Sequence, residues 1–376
     1  MSEFIQSFID RGEISFNGLR NTAIALLPTD KIQRDQLYND LERGKGVLDD
    51  DDHLNMYLFS FGKMHEAKLG MAFESFKGLS SLLGSGVEIY DWGCGQGTAT
   101  ICLLDYIRQE HLPLNIRSIT LVDPSTAAVG RAHSVLGCYG DYAINTVTKG
   151  FDELGREDFT PSRTRKLHLF SNILDVDRFD LARYIYLFQQ TFDGDNYFLC
   201  VGPYYSNSRR LDDFIAATDP DEIYAVTTKE RGQWLNDWTL SLRIFYKSFS
   251  VIEPLHDIRK RIEESHKKEQ FFAGFILDAV SEEYVNSDKK EETAELFEAL
   301  SSFDVKSSVS LGSEEPSDPK LAVLANIISR GLPTKAPILL ENLFSDFFTV
   351  TIKNRHVIIF QNGDFIIVQQ VDISSI

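Results

Sequence analysis

Residues 87–100 read VEIYDWGCGQGTAT, and this stretch decides the fold. Val87, Ile89 and Tyr90, with Glu88 between them, give a short strand signal that runs into an acid at Asp91. Gly93, Gly95 and Gly97 follow at alternate positions, and helix-compatible residues resume from Thr98 to Ile107. Glycines at such a strand-to-helix turn let the backbone approach a ligand that a Cβ would hold off. The order of elements places that ligand at the carboxyl end of a parallel strand, where open α/β sheets bind nucleotides. Downstream, Ser118 to Val122 (SITLV) is a second strand signal closed by Asp123, and DPSTAAVGRA opens a helix with Ser125 or Thr126 as its cap.

Working outward, strand-like and helix-like stretches alternate, as in a doubly wound sheet. Strands are expected at 87–91, 118–123, 143–148, 166–171 and 195–202. Two further apolar runs, Leu240 to Val251 and Phe271 to Val280, suit a closing antiparallel hairpin. Residues 1 to about 83 read as helical. Leu54, Leu58, Phe61, His65, Leu69, Phe73 and Phe76 recur at three- and four-residue steps, which is one face of an amphipathic helix. Asp50 to Asp52 supply its N-cap, and Gly62 and Gly70 mark expected close approaches of another backbone. Past Ser281 the chain turns rich in Glu, Ser, Asp and Lys, the composition of a linker. Two helices at 321–329 and 338–347 and a β-meander ending in FQNGDFIIVQQV follow, with Asn354–Arg355 and Asn362–Gly363 as turns.

The acid followed by GxGxG resembles the first motif of the class I S-adenosylmethionine-dependent methyltransferases. The resemblance implies an α/β fold: a doubly wound, seven-stranded methyltransferase-like sheet, with an N-terminal helical cap and a small C-terminal α+β module. The expected division is cap 1–83, cofactor-binding domain 84–281, acidic linker 282–318 and accessory module 319–376. In the family, the first acid and the glycine-loop amides hold the methionine end of S-adenosylmethionine. That role falls to Asp91, Gly93, Cys94, Gly95 and Gly97 here. Asp123 stands where the family's second acid accepts from both ribose hydroxyls, with Pro124 or Ser125 beside the adenine. Phe151 or Asp152, after the third strand, occupies the position of an adenine contact, and Phe151 suits the core equally well. Helices before the first strand commonly cover the cofactor cleft, which offers Tyr57, Lys63, His65 and Lys68 to a ligand; a packed histidine is the simpler reading of His65.

The acceptor is less legible. After the fourth strand the chain reads Ser171-Asn172-Ile173-Leu174, without the Pro-Pro-aromatic run of the nucleic-acid amino-methyltransferases. Asn172 remains a candidate for the transfer point, both as a catalytic residue and as a contact of the cofactor. Tyr204 in Gly202-Pro203-Tyr204-Tyr205, at another carboxyl strand end, is the second catalytic candidate. There is no Pro-Cys dipeptide, so attack on a pyrimidine ring by a DNA C5-type thiolate lacks its nucleophile. An acceptor among proteins or small molecules is expected. RNA is the rival, through a faint likeness of VDPSTAAVGRA to ribosome-associated methyltransferase-like proteins, and a methyltransferase-like cofactor sensor or assembly subunit is a second. A nicotinamide oxidoreductase would need GxGxxG, whose last glycine is missing.

Charge narrows the partners. With 38 basic against 56 acidic residues the formal charge is −18, so bulk nucleic acid is disfavoured, since phosphate contacts need a basic surface. Three short basic runs, 163–166, 209–210 and 259–261, are the possible exceptions. No apolar run approaches the ~18–20 residues that span a bilayer, and the start carries acids rather than an apolar signal segment. Four cysteines sit at no metal-ligand spacing and read as small core residues in a reducing compartment. A cytoplasmic protein without a metal is therefore expected, with the C-terminal module available for homodimer or partner contact.

Overall fold

The computed structural model describes residues 3–44, 46–175, 179–204, 210–263 and 265, and the backbone of 347–352, 355–362 and 365–370. The chain divides into two units, Met1–Arg261 and Ile262–Ile376. The first begins with helices α1 (Glu3–Asp10), α2 (Phe16–Leu26), α3 (Lys31–Asp40), α4 (Asp51–Ser75) and α5 (Leu79–Gly84). There follow β1 (Val87–Trp92), α6 (Thr98–Gln109), β2 (Ile116–Val122), α7 (Thr126–Leu136), β3 (Ile144–Val147), β4 (Arg165–Ser171) and α8 (Leu181–Thr191). The unit continues through β5 (Gly194–Gly202), α9 (Arg210–Thr218), β6 (Glu222–Lys229) and β7 (Leu240–Phe249). The sheet order is β3-β2-β1-β4-β5-β7-β6. β1 pairs in parallel with β2 and β4, whereas β7 runs antiparallel to β5 and β6. This is the doubly wound, seven-stranded methyltransferase-like sheet that the sequence implies.

The closing hairpin is a correction. Its partner for β7 is Glu222–Lys229, a stretch the sequence reading left without a strand; residues 271–280, expected there, lie outside the described residues. β6 is the edge strand, and most of its residues keep some exposure, so it lacks the apolar density that marks an inner strand. The expected helix at 321–329 and residues 338–346 of the second also lie outside the described residues, while Phe347, expected to end that helix, is in a strand instead. In the second unit β8 (Phe347–Ile352), β9 (Arg355–Asn362) and β10 (Phe365–Gln370) form an antiparallel meander, with Ile352 paired to Arg355 and Asn362 to Phe365.

Every residue of β1 is buried, because both faces of the sheet are covered. The two faces differ in kind. Alternation sends Val87 and Ile89 to one side, where they join Leu167, Leu169, Leu199, Val201, Leu242 and Ile244 and the apolar stripes of α4, α5 and α6. It sends Tyr90 and Trp92 to the other, against His168, Phe188 and Phe192. His168 stacks on Phe198 there, and burial lowers its pKa to about 3, so it packs as a neutral ring.

The helix α4 has the apolar face read from the sequence: Leu54, Leu58, His65, Leu69 and Phe73 are buried. Asp50 caps it by accepting from the His53 N–H at 2.9 Å. A Cβ at Gly62 would lie 3.2 Å from Arg20 Cδ and 3.4 Å from Phe16 Cζ, so α2 does approach there, through side chains. Gly70 meets nothing within 4 Å, which removes the close approach expected at that residue.

Candidate functional site

The carboxyl end of β1 feeds the glycine loop, and all three glycines have positive φ: +61° at Gly93, +50° at Gly95 and +78° at Gly97. A side chain is strained at any of them. The space around each differs. A Cβ on Gly93 would fall 2.5 Å from Ile173 Cγ1, so the segment after β4 lies directly against the loop. A Cβ on Gly95 would meet nothing within 4 Å. Here the backbone lies bare, next to open space at the carboxyl edge of the sheet.

Two acids organise this loop. Asp91 is 1% exposed, and its Oδ2 accepts from the Thr100 N–H at 3.2 Å and from Thr100 Oγ1 at 2.7 Å, tying the strand end to the first turn of α6. Burial pushes its carboxyl up to about 6; the Thr100 bonds oppose that rise and the nearby Asp123 charge adds to it. Asp123, just past β2, accepts from the Gly95 N–H at Oδ2 (2.9 Å) and from the Ser125 N–H at Oδ1 (2.9 Å). Burial raises its carboxyl as well, against those two amides. The two strand-end acids therefore act on one loop: Asp91 fixes where α6 starts, and Asp123 holds Gly95. Cys94 is buried, with its N–H on Val122 O at 3.0 Å, and burial pushes its thiol well up, so it packs rather than reacts.

Other expected site residues fall in different surroundings. Pro124 is exposed beside Asp123, and Ser125 caps α7 by accepting from the Ala128 N–H. Phe151 stacks on Phe179 at 4.5 Å between centroids and meets Tyr184 edge-on at 5.0 Å. Asp152 is exposed and accepts from the Asp180 N–H. Tyr204 is half-buried with its N–H on Thr239 Oγ1; its neighbour Tyr205 lies outside the described residues.

The helix α4 crosses the same edge of the sheet. Lys68 on this helix is fully buried, and its Nζ donates to Asn172 Oδ1 at 3.4 Å. Asn172 takes the left-handed conformation at φ +57°, which asparagine tolerates, with its N–H on Val201 O at 2.7 Å. Its Nδ2 donates to Ser171 Oγ at 3.0 Å. Burial lowers the Lys68 ammonium to about 8, against the attraction of Asp175. His65, one turn back, is held at about 3 by burial and by the Lys68 charge, and is neutral. Tyr57 packs edge-on against His65 at 5.6 Å, and burial with the charges of Asp123 and Asp175 raises its phenol. Of the four cap residues offered by the sequence, Lys68 reaches Asn172 and Tyr57 lies within the charge field of Asp123 and Asp175, while His65 packs among residues of its own helix and Lys63 is exposed.

One contributor had no sequence signal. Arg131 of α7 is 5% exposed and donates to Asn55 Oδ1 at 2.8 Å, to Gln96 Oε1 at 2.9 Å and to Asp51 Oδ1, with its guanidinium 3.8 Å over the Phe4 ring. Gln96 passes the contact on, donating to Leu54 O at 2.8 Å. The start of α4, the glycine loop, α1 and α7 are held together through this side chain. A spacing rule cannot anticipate it, because its hydrogen-bond partners lie 35 to 80 positions away.

No protein-family model matches the chain, and no curated protein does. Solved structures of methyltransferases are similar to it at low identity. A candidate RNA methyltransferase from Pyrococcus horikoshii shares 17% identity over 58% of this chain and 98% of its own, with a TM-score of 0.35. Phosphoethanolamine N-methyltransferase 1 of Haemonchus contortus shares 12% over 65% of this chain and 56% of its own, at 0.39. A plantazolicin methyltransferase shares 12% over 57% and 98%, at 0.35. The fold assignment rests on the strand order and direction of the chain itself.

Proposed function

We propose that the chain is an S-adenosylmethionine-dependent methyltransferase acting on a protein or small-molecule acceptor. The observation that carries this is the pairing of the Gly95 amide with the Asp123 carboxylate at adjacent strand ends, beside open space that only a glycine leaves. The cofactor's demands fit those residues. A carboxylate has about four acceptor positions, and the two amides on Asp123 leave room for two vicinal hydroxyls. Gly93, Cys94, Gly95 and Gly97, with Asp91 behind them, would hold the methionine end near the positive start of α6. Pro124, with Phe151 or Asp152, would flank the base. When bound, the cofactor supplies a methyl group on a sulfonium with a good leaving group, so the protein's remaining work is to aim the acceptor and take its proton. Asn172 and Tyr204 stay the candidates for aiming it.

Calorimetric titration with S-adenosylmethionine, S-adenosylhomocysteine and the nicotinamide dinucleotides tests the cofactor class: the first two should bind and the last should not. Asp123→Ala should weaken S-adenosylmethionine about 10- to 100-fold, the cost of removing a charged acceptor. Binding within about twofold of the parent would place the ribose elsewhere.

Bulk nucleic acid should bind weakly and with almost no dependence on salt. Among the described residues, each of the three basic runs has a member engaged within the fold, Arg210 by donating to Leu174 O and Phe179 O. Lys166 is buried with its Nζ on Asp193 O, Arg259 pairs with Asp180, and Arg261 pairs with Glu253. Fluorescence anisotropy with duplex DNA, single strands and structured RNA measures this. A steep salt slope would move the acceptor to nucleic acid. No helix among the described residues is long and apolar enough to cross a membrane.

A further inference from the structure

Lysine is costly to bury, and a fully buried one normally answers to a carboxylate at close range. Among the described residues Lys68 makes one hydrogen bond, of 3.4 Å to the neutral carbonyl oxygen of Asn172, and the one carboxylate that attracts its charge is Asp175. The charged and titratable groups around it are few. On its own helix stand His65, which is neutral, and Tyr57; from the segment after β4 comes Asp175; and Asp123 faces Tyr57 from the end of β2. Asn172, which accepts from the amine, is adjacent in sequence to Ile173, whose side chain abuts Gly93 of the loop assigned above to the methionine end.

Resting on that cofactor reading, we infer that Lys68 Nζ faces the point of methyl transfer and, in its neutral form, takes the proton of the acceptor. The acceptor would then be one whose nucleophile carries a proton at neutral pH, such as an amine met as its ammonium, a hydroxyl or a thiol. A hydroxyl or thiol already has a lone pair, whereas an ammonium gains one only by first giving its proton to Nζ; with that lone pair the acceptor atom X forms the X–C bond, and the C–S bond breaks with its electrons going to sulfur. The X–H proton passes to Nζ, which becomes an ammonium. Atoms and charge balance, and no further reactant is needed.

Burial lowers the ammonium to about 8, which raises the neutral fraction although the charged form still predominates at pH 7. A cation placed nearby lowers it further, and this separates the role from a structural one. The two cofactor forms differ by one positive charge at sulfur. The protein, labelled with carbon-13 at the lysine ε-carbons, is titrated from about pH 6 to 10 alone and saturated with either cofactor form. Lys68→Met identifies the resonance, and Lys68→Arg does so if the methionine variant fails to fold. The Lys68 midpoint should be at least about one pH unit lower with S-adenosylmethionine than with S-adenosylhomocysteine, as expected for a unit charge within about 10 Å at an effective dielectric of about 20. Calorimetry on the same samples keeps the two claims apart. If both compounds bind and the midpoints coincide, the lysine only supports Asn172 and the inference falls. If neither binds, the cofactor reading falls and takes the inference with it.

Discussion

Gly95→Val should abolish binding of S-adenosylmethionine and S-adenosylhomocysteine, a loss of at least about 100-fold, while far-ultraviolet circular dichroism stays that of the parent. The size of the effect follows from two properties of one residue. Its φ of +50° is one that a β-branched side chain adopts only under strain, which turns the amide away from Asp123. The added atoms would also project where a Cβ meets nothing within 4 Å, into the space the cofactor is proposed to enter. The same open surroundings are why the fold should survive, in contrast to Gly93, where a Cβ collides with Ile173 at 2.5 Å. Calorimetry on the variant decides: an unchanged affinity would remove the loop from the binding site.

Asp91→Asn should stabilise the protein and weaken the cofactor at once. A carboxyl raised by burial from 3.8 to about 6 represents about 3 kcal/mol of cost in its charged form, an upper figure for what the amide can recover. The asparagine oxygen can still accept from Thr100, so the start of α6 keeps its anchor. The sign of the pH dependence is fixed by proton counting. Unfolded chains release this proton near 3.8 and the native state holds it to about 6, so between those values the native state binds more protons. The parent therefore loses stability as pH rises through that window, and the variant does not. Denaturant unfolding at several pH values should show the two nearly equal near pH 4 and the variant ahead by up to about 3 kcal/mol at pH 7. A variant less stable than the parent at pH 7 would show that the charge, rather than its burial, dominates there. Cofactor affinity should fall at least tenfold, the signature of a site that holds a charge at the expense of the fold.

Much of this was legible in the sequence, for a physical reason. β1, its loop and α6 are contiguous, and inner parallel strands read as apolar runs, so β1, β2, β4 and β5 appear within two residues of their observed limits. Asp123 was visible because it closes such a run. β6 was not, because an edge strand carries EIYAVTTK, and the more apolar run at 271–280 competed for its place. The contacts of Lys68 and Arg131 could not be read, since each spans tens of residues and is set by how α4 crosses the sheet. Sequence periodicity reports which face is buried. It does not report what a buried charge meets.

The aromatic face of the sheet has a spectroscopic consequence. Trp92 is wholly buried among Tyr90, Phe159, His168, Phe170, Tyr184, Phe188 and Phe192, one residue before the glycine loop begins. The other two tryptophans, Trp234 and Trp238, are partly exposed and lie edge-to-face at 6.3 Å. The chain therefore carries one indole in an apolar setting and two nearer water, and its emission should divide into a short-wavelength and a long-wavelength component. An aqueous quencher should extinguish the long-wavelength light first, leaving Trp92 as an optical label the protein carries at the threshold of its loop.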